Sequence, residues 1–402
     1  MQYLSSSLRE RPLELTYKYA LEKAKDLNIT RVTDTTFLDK VGVPVFASIR
    51  PMGNSLCVNA GKGFTVNEAK TGALMEAIEF AYGEYGRTKK ELQLITINDL
   101  IDQLPPYLKL EDFGFKLGKR ASTDELIACT GCVNTSDDKV YLLPAQLVFI
   151  PFRENPGADL FGTFTNGLAS GNSIQEATIH AICELIERDV ASFNRVKDTS
   201  VWVDVDKSVF KINCLKEKID SAGLKLSLRY TDNQFGLPFF ESYIIDDFSS
   251  DHVSTAKGQG LHPVKEVAAV RAITEALQSR LSCIHGGRDD IFEGYEMFDS
   301  LSLDKKKETY LSIKDKTLNK QNFITYNDIK APPVPASLDE AMQILENALT
   351  RNNIKDIFRY VFTNPDDYLQ VVKIIIPKLE YFDQKLKRMG PRLFSYILSE
   401  RN

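Results

Sequence analysis

Residues 165–188 read TNGLASGNSIQEATIHAICELIER, and the spacing of their carboxylates organises the whole chain. Within the stretch, Gly171-Asn-Ser173-Ile-Gln175-Glu176-Ala177 is followed, six residues on, by Glu184-Leu-Ile-Glu187. The same order of residue types occurs earlier as Gly63-Phe-Thr65-Val-Asn67-Glu68-Ala69, then Glu76-Ala-Ile-Glu79. Glu68, Glu76 and Glu79 recur as Glu176, Glu184 and Glu187, each 108 positions later. A fainter third copy runs from His262-Pro263 through Ala268 and Arg271 to Glu275, Gln278 and Arg280. Repetition at constant spacing marks a structural unit used more than once.

Each copy reads as a Gly-containing loop that opens a helix, over about 66–85, 173–193 and the part of 258–284 after the loop. Residues three apart on a helix are surface neighbours. Eight residues advance about 800°, so Glu176 lies two turns before Glu184 and roughly 80° to one side. Each helix therefore carries a ladder of carboxylates. Two such charges about 4 Å apart cost about 4 kcal/mol at an effective dielectric of 20. Around them the helices are apolar, with Ala73, Leu74, Ala77 and Phe80 in one copy and Ile179, Ala181, Ile182, Leu185 and Ile186 in the other. Glu is also a good helix former, so one Glu on a solvated face needs no ligand. Two matched ladders in apolar surroundings call for compensation, and a hard dication with phosphate is the natural partner. The loops add backbone N–H groups and a positive dipole end at the helix starts. Gly61-Lys62-Gly63 lets the backbone approach closely and brings a cation, but it lacks the trailing Ser/Thr of a Walker loop.

Working outward, Leu13, Tyr17, Ala20, Leu21 and Ala24 predict a helix over 12–28. Short strands follow at 30–32 and 43–49. Leu126 to Val133 and Val140 to Leu143, with Asn134-Thr-Ser-Asp-Asp138 between them, predict a hairpin. Cys129 and Cys132 fall on its first strand and read as packed thiols, because no second Cys or His pair follows at zinc spacing. Residues 199–247 alternate strands with a helix. Ala331-Pro-Pro-Val-Pro335 is a stiff linker, and Ser337 reads as the N-cap of another helix.

Bulk properties exclude several classes. The 402 residues are 43% hydrophobic and 26% charged, as in an ordinary globular chain. A net charge of -5 gives no strong field for nucleic acid or an anionic membrane. The N-terminus has no basic start leading into an apolar run, and the apolar segment Val371 to Pro377 is far too short to span a bilayer. Six scattered Cys suit a reducing compartment, so the expected location is the cytoplasm. No GxSxG or HExxH occurs, and the four His form no local metal motif. His262, before Pro263, reads as a turn-shaping residue.

Three runs resemble the motifs of the YcaO family. They are Ser55-Leu-Cys-Val-Asn-Ala-Gly61-Lys62-Gly63 with Glu76 and Glu79; Thr165–Asn172 through Glu184, Glu187 and Arg188; and Gly258-Gln-Gly260-Leu-His262-Pro263 through Arg280 to Gly287-Arg288-Asp289-Asp290. Together with the looser N-terminal match they extend from about residue 9 to residue 390. The implied fold is α+β: mixed and antiparallel sheets packed with long helices, with internal loop–helix pseudo-repeats. Residues 1–54 would complete the nucleotide site and 55–402 would form the YcaO domain. The resemblance implies ATP-dependent, magnesium-dependent O-phosphorylation of a peptide backbone amide. Position by position it puts Glu76, Glu79, Glu176, Glu184 and Glu187 on magnesium. It puts Arg9, Thr16, Lys62, Asn172, Arg188 and Arg280 at ATP, with Arg280 the cationic contribution of the third copy. No residue is assigned a catalytic role of its own.

The C-terminal run Arg388-Met-Gly-Pro391-Arg392-Leu-Phe-Ser lacks the Pro-x-Pro-x-Pro tail of azoline-forming members. It resembles those that work beside a TfuA partner and install thioamides. Azoline formation on Cys, Ser or Thr, amidine formation, and a non-catalytic nucleotide-binding role beside an enzyme that modifies a ribosomal protein are the alternatives. The expected partners are a peptide or protein substrate and a TfuA-like or leader-binding protein, and the resemblance implies a homodimer.

Overall fold

The computed structural model describes residues 1–5, 7–86, 92–153, 155–247, 253–288, 291, 296, 298–382 and 387–400. The chain divides into two compact units, Met1–Ile78 with Thr199–Ala341, and Glu79–Asp198 with Met342–Asn402. Residues 1–54 lie in the first unit together with 55–78 and 199–341.

The first unit begins with a small hairpin, β1 (Gln2–Tyr3) and β2 (Leu8–Arg9), and helix α1 (Leu13–Asp26). A three-stranded antiparallel sheet follows, β3 (Arg31–Asp34), β4 (Val45–Ile49) and β5 (Val58–Lys62), and the chain then enters α2 (Val66–Gly83). A second sheet has the order β13-β12-β11-β10-β14. Its strands are β10 (Val201–Asp204), β11 (Lys225–Thr231), β12 (Phe239–Ile245), β13 (Thr255–Leu261) and β14 (Phe323–Thr325). All neighbours are antiparallel except β14, which joins β10 in parallel. Helices α5 (Phe210–Ser221) and α6 (Lys265–His285) cover this sheet, and Leu215, Leu228, Phe240, Ile244 and Ile273 are buried in the core between them. Helix α7 (Leu303–Leu318) is mostly solvated, with Thr317 buried.

The second unit is built on the sheet β6-β7-β15-β16-β9, with β8 beside β7. The strands are β6 (Gln93–Thr96), β7 (Leu126–Asn134), β8 (Val140–Pro144), β9 (Leu168–Gly171), β15 (Phe358–Val361) and β16 (Gln370–Ile375). Helix α3 (Ile97–Gln103) caps one edge, and α4 (Ile174–Val196) packs on β9 and β16. Helix α8 (Leu338–Thr350) opens in the first unit and continues into the second, where α9 (Pro391–Glu400) ends the described chain. Tyr85, Phe149, Phe152, Tyr360 and Phe362 meet edge to face. The predicted 126–143 hairpin is β7–β8; Cys129 and Cys132 are buried free thiols, and burial pushes the Cys129 thiol up to about 12. Ser337 caps α8 as expected, its Oγ accepting from Glu340 N at 3.1 Å.

The three sequence copies become three strand–helix units, β5–α2, β9–α4 and β13–α6. The segments expected as Gly-rich loops are largely strand: β5 extends through Lys62, β9 through Gly171 and β13 through Leu261. Their glycines serve strand–helix contact. A Cβ on Gly61 would lie 2.1 Å from the Ala69 carbonyl and the Ala73 nitrogen of α2; one on Gly258 would lie 2.2 Å from the matching atoms of Ala272 and Ala276 on α6. The facing helix positions are alanines at four-residue spacing, Ala69, Ala73 and Ala77 or Ala268, Ala272 and Ala276, all fully buried. Small residues on both sides let strand and helix backbones nearly touch. That contact fixes each helix, and with it the direction of its carboxylates.

Candidate functional site

In the first unit the site residues gather at the end of β5. Lys62, the last residue of that strand, places its Nζ 2.9 Å from Glu275 Oε2 on α6. Two residues back, the Ala60 carbonyl accepts from Gln278 Nε2 at 3.0 Å. The third copy thus turns both residues that stand in place of metal carboxylates onto β5. Glu76, from α2, is pushed upward in pKa, first by burial and against the pull of Arg288 and Lys62. Beside it Asn59 is fully buried, and neither its amide nitrogen nor its oxygen reaches a partner at full hydrogen-bond geometry. Glu76 is therefore a desolvated carboxylate flanked by two cations, a place where added positive charge is stabilised.

Glu68, the first carboxylate of copy one, is occupied structurally. Its side chain accepts from Phe64 N, Thr65 N, Ser5 N and Ser5 Oγ, while Thr65 Oγ1 accepts from Glu68 N. This is a capping box extended to the N-terminal hairpin. The hairpin carries Arg9, and Thr16 is buried on α1 with its Oγ1 3.3 Å from the Pro12 carbonyl. Arg280 is 5% exposed and sits among carboxylates: Nε donates to Asp39 at 3.0 Å, Nη1 to the Val253 carbonyl at 2.5 Å, and Nη2 lies 3.7 Å from Asp246. In this arrangement Arg280 ties α6 to Asp39, Asp246 and Val253 rather than presenting a bare cation. His262 accepts from Val264 N at 3.0 Å through Nδ1, and burial lowers its pKa to about 3. It shapes the turn into α6, as expected.

In the second unit, β9 and α4 place Asn172, Glu176, Glu184, Glu187 and Arg188, and the end of α2 brings Glu79. Glu79 Oε1 accepts from Ser170 N at 2.9 Å and Ser170 Oγ at 2.6 Å. Asn172 Nδ2 donates to both oxygens of Glu176, at 3.1 and 3.0 Å, and Ser173 Oγ caps α4 by accepting from Glu176 N. Glu187 is buried, while Glu184 and Arg188 are half-buried. Glu184 acts electrostatically on Lys373 of β16. Lys373 is fully buried and donates to the Phe164 carbonyl at 2.7 Å; burial lowers its pKa to about 7, with Glu184 opposing that fall and Arg388 adding to it.

The donors on α2 and α4 are carboxylate oxygens in partly or wholly buried settings, the set a hard dication such as magnesium takes. Taken separately, the buried Glu76 of the first unit and the ladder of Glu184 and Glu187 of the second each offer oxygen donors of that kind. Among the described residues no group of three or more Asp, Glu, His or Cys side chains is drawn together as an assembled cage.

A family model described as YcaO cyclodehydratase, ATP- and Mg2+-binding, matches residues 60–380. The chain belongs to the YcaO family and is a YcaO-type ATP-dependent enzyme, with ATP and Mg2+ as its cofactors. An uncharacterised protein of Methanothermobacter thermautotrophicus is 31% identical over 96% of this chain and 98% of its own length. One from Rhizobium leguminosarum bv. trifolii, described as lying in the tfuA 3′ region, is 30% identical over 89% of this chain and 84% of its own. In fold, the chain is similar to YcaO from Methanopyrus kandleri bound with AMPPCP and Mg2+, with TM-score 0.75, 17% identity and 97% of each chain covered. It is also similar to a heterocyclase in complex with substrate and cofactor, with TM-score 0.73 and 20% identity, covering 96% of this chain and 54% of that one.

Two residues given no role in the sequence reading stand beside the carboxylates. Arg288 adjoins Glu76 and lies in the quoted third run, whose Asp289 and Asp290 fall outside the described residues. Lys373 had a visible signal, a single cation inside the apolar run Val371-Val-Lys-Ile-Ile-Ile376. No helix among the described residues is long and apolar enough to cross a membrane.

Proposed function

We propose that this enzyme activates a backbone amide of a ribosomally made peptide or protein and converts it to a thioamide. The observation that carries the reading is the contrast between copies. The first two keep Glu76, Glu79, Glu184 and Glu187 on their helices, while the third directs Glu275 and Gln278 onto β5. In this reading Glu76, Glu79, Glu176, Glu184 and Glu187 hold magnesium. Arg9, Thr16, Lys62, Asn172 and Arg188 meet ATP, joined by Arg288, while Arg280 acts by fixing α6. Magnesium supplies charge neutralisation on the phosphates. The protein's own work is positioning, since phosphoryl transfer needs little covalent help. Hydrosulfide adds to the amide carbon, and the resulting oxyanion takes the γ-phosphoryl group, releasing ADP. Loss of phosphate and of the sulfur-bound proton leaves the C=S bond. Asn172 holds Glu176, and Ser170 holds Glu79, in fixed orientation for this.

A TfuA-like partner is supported by the relative in the tfuA 3′ region. Free thiols at all six Cys support a cytoplasmic setting. The second reading, azoline formation, is favoured by the fold likeness to a heterocyclase. Incubation of the chain with its TfuA-like partner, precursor peptide, ATP, Mg2+ and sulfide separates them by mass. Exchange of oxygen for sulfur is the expected result. Loss of water at Cys, Ser or Thr establishes the azoline reading, and nucleotide binding without turnover of any peptide establishes an accessory role.

A further inference from the structure

Glu275 occupies, in copy three, the place that Glu76 and Glu184 hold in copies one and two. Its partner is a cation of the chain itself, Lys62, at 2.9 Å. Both side chains are about four-fifths shielded, at 20% and 22% exposure, so this is no freely solvated surface pair. Lys62 also acts at longer range on Glu76, whose acidity it strengthens together with Arg288. One ammonium thus stands near two carboxylates and is bonded to the one that has no metal role. The anchor is firm. Glu275 rides on α6, whose Ala268, Ala272 and Ala276 are locked against β13. Gln278, one turn on, grips β5 at Ala60. Glu275 Oε1 further accepts from Gln259 N at 3.4 Å, and Gln259 Nε2 donates to the buried Glu241 at 3.0 Å, which pairs with Lys257.

We propose that Glu275 is a positioning residue that holds the Lys62 ammonium off Glu76 and so keeps Glu76 open to a divalent cation. The inference rests on the reading of Glu76 as a magnesium ligand. Without the Glu275 charge, Lys62 is left beside Glu76, a desolvated carboxylate on which it already acts and which needs a counter-charge. A lysine on Glu76 and a dication on Glu76 exclude one another. The third copy, on this account, lost its metal and became the guard of the first.

The test is Mn2+ alone, titrated into the full chain without nucleotide and followed by the electron paramagnetic resonance of the free ion. Wild type is expected to bind. Glu275→Gln is expected to bind roughly tenfold more weakly, the scale of one shielded charge contact. Lys62→Met added to Glu275→Gln is expected to return the affinity to the wild-type range. A purely structural role for Glu275 does not yield this rescue. Equal affinity of wild type and Glu275→Gln overturns the inference, as does a double variant that stays as weak as the single one. Failure of the wild type to bind Mn2+ overturns the reading of Glu76 itself, and is seen before any substitution is made. Should Glu275→Gln fail to fold, Lys62→Met alone decides: tighter Mn2+ binding than wild type supports the guard role, and weaker binding overturns it.

Discussion

On α4, Glu184 and Glu187 stand where α6 has Glu275 and Gln278. Both helices press on a glycine-bearing strand, Gly171 lying against Ala177 of α4 and Gly258 against Ala272 and Ala276 of α6. Their carboxylates nevertheless end in different company. Glu184 acts electrostatically on the buried Lys373, whereas Glu275 is bonded directly to Lys62. Glu187 has a carboxyl group where Gln278 has an amide that donates to a strand carbonyl. The lesson is that the repeated unit fixes where a side chain points, and the neighbouring strand decides what it does there. A duplicated scaffold can thereby supply both ligands and the braces that hold them.

The comparison breaks first at α4. Glu184→Gln and Glu187→Gln should each lower ATP turnover by about a thousand-fold or more, since several kcal/mol of charge stabilisation on phosphate is lost. Circular dichroism and melting temperature should stay near wild type. Retained turnover in either variant would put α4 in the same structural class as α6.

The strand–helix contact that copies one and three share is tested at the glycines. Gly61→Val and Gly258→Val place a side chain about 2 Å from helix backbone, which neither partner can vacate. Each should cost about 3 kcal/mol or more in urea unfolding. A loss confined to one copy would show that the two strand–helix contacts are not equivalent.

Lys373 sharpens the difference in company. Its pKa falls from the ordinary lysine range to about 7 in the folded chain, so the unfolded chain binds the extra proton between pH 7 and about 10.5. Stability from this group therefore rises with pH across that window, and the cost of burying it is full below pH 7. Chemical denaturation from pH 6 to 10 should show this rise in wild type, on the order of a few kcal/mol, and Lys373→Met should remove it. An unchanged pH slope in the variant would mean that Lys373 keeps an ordinary pKa.

The smallest effect belongs to Glu68, the copy-one counterpart of Glu176. Glu68→Gln removes charge from a cap that accepts four hydrogen bonds, and should cost about 1–2 kcal/mol of stability with ATP turnover within a few-fold of wild type. A collapse of turnover without loss of stability would make Glu68 a site residue after all.

Much of this was legible in the sequence because it is local. The 108-residue offset located two of the three strand–helix units, and the helix starts at Val66 and Ile174 lie within a residue of the spacing's prediction. Gly61 and Gly258 are visible in the sequence, but a close approach to a helix backbone and a close approach to a ligand call for the same residue, so the strand–helix contact is not legible from them. What escaped depends on distant pairing. Strand β9 in copy two takes its neighbour β16 from residues 370–375, whereas β5 and β13 pair with the strands just before them. Nothing local announces that partner, so Lys373 stayed out of view. The Lys62–Glu275 pair spans 213 positions and was hidden for the same reason.

The central claim, that copy two holds metal while copy three only keeps a metal ligand free, is tested most directly by the Mg2+ dependence of ADP release with precursor peptide present. Wild type, Glu184→Gln and Glu275→Gln would be compared across a wide range of Mg2+. The account predicts no recovery for Glu184→Gln at any concentration, and recovery toward the wild-type rate for Glu275→Gln as Mg2+ is raised. Identical Mg2+ curves for the two variants, whether both recover or both stay silent, would contradict it.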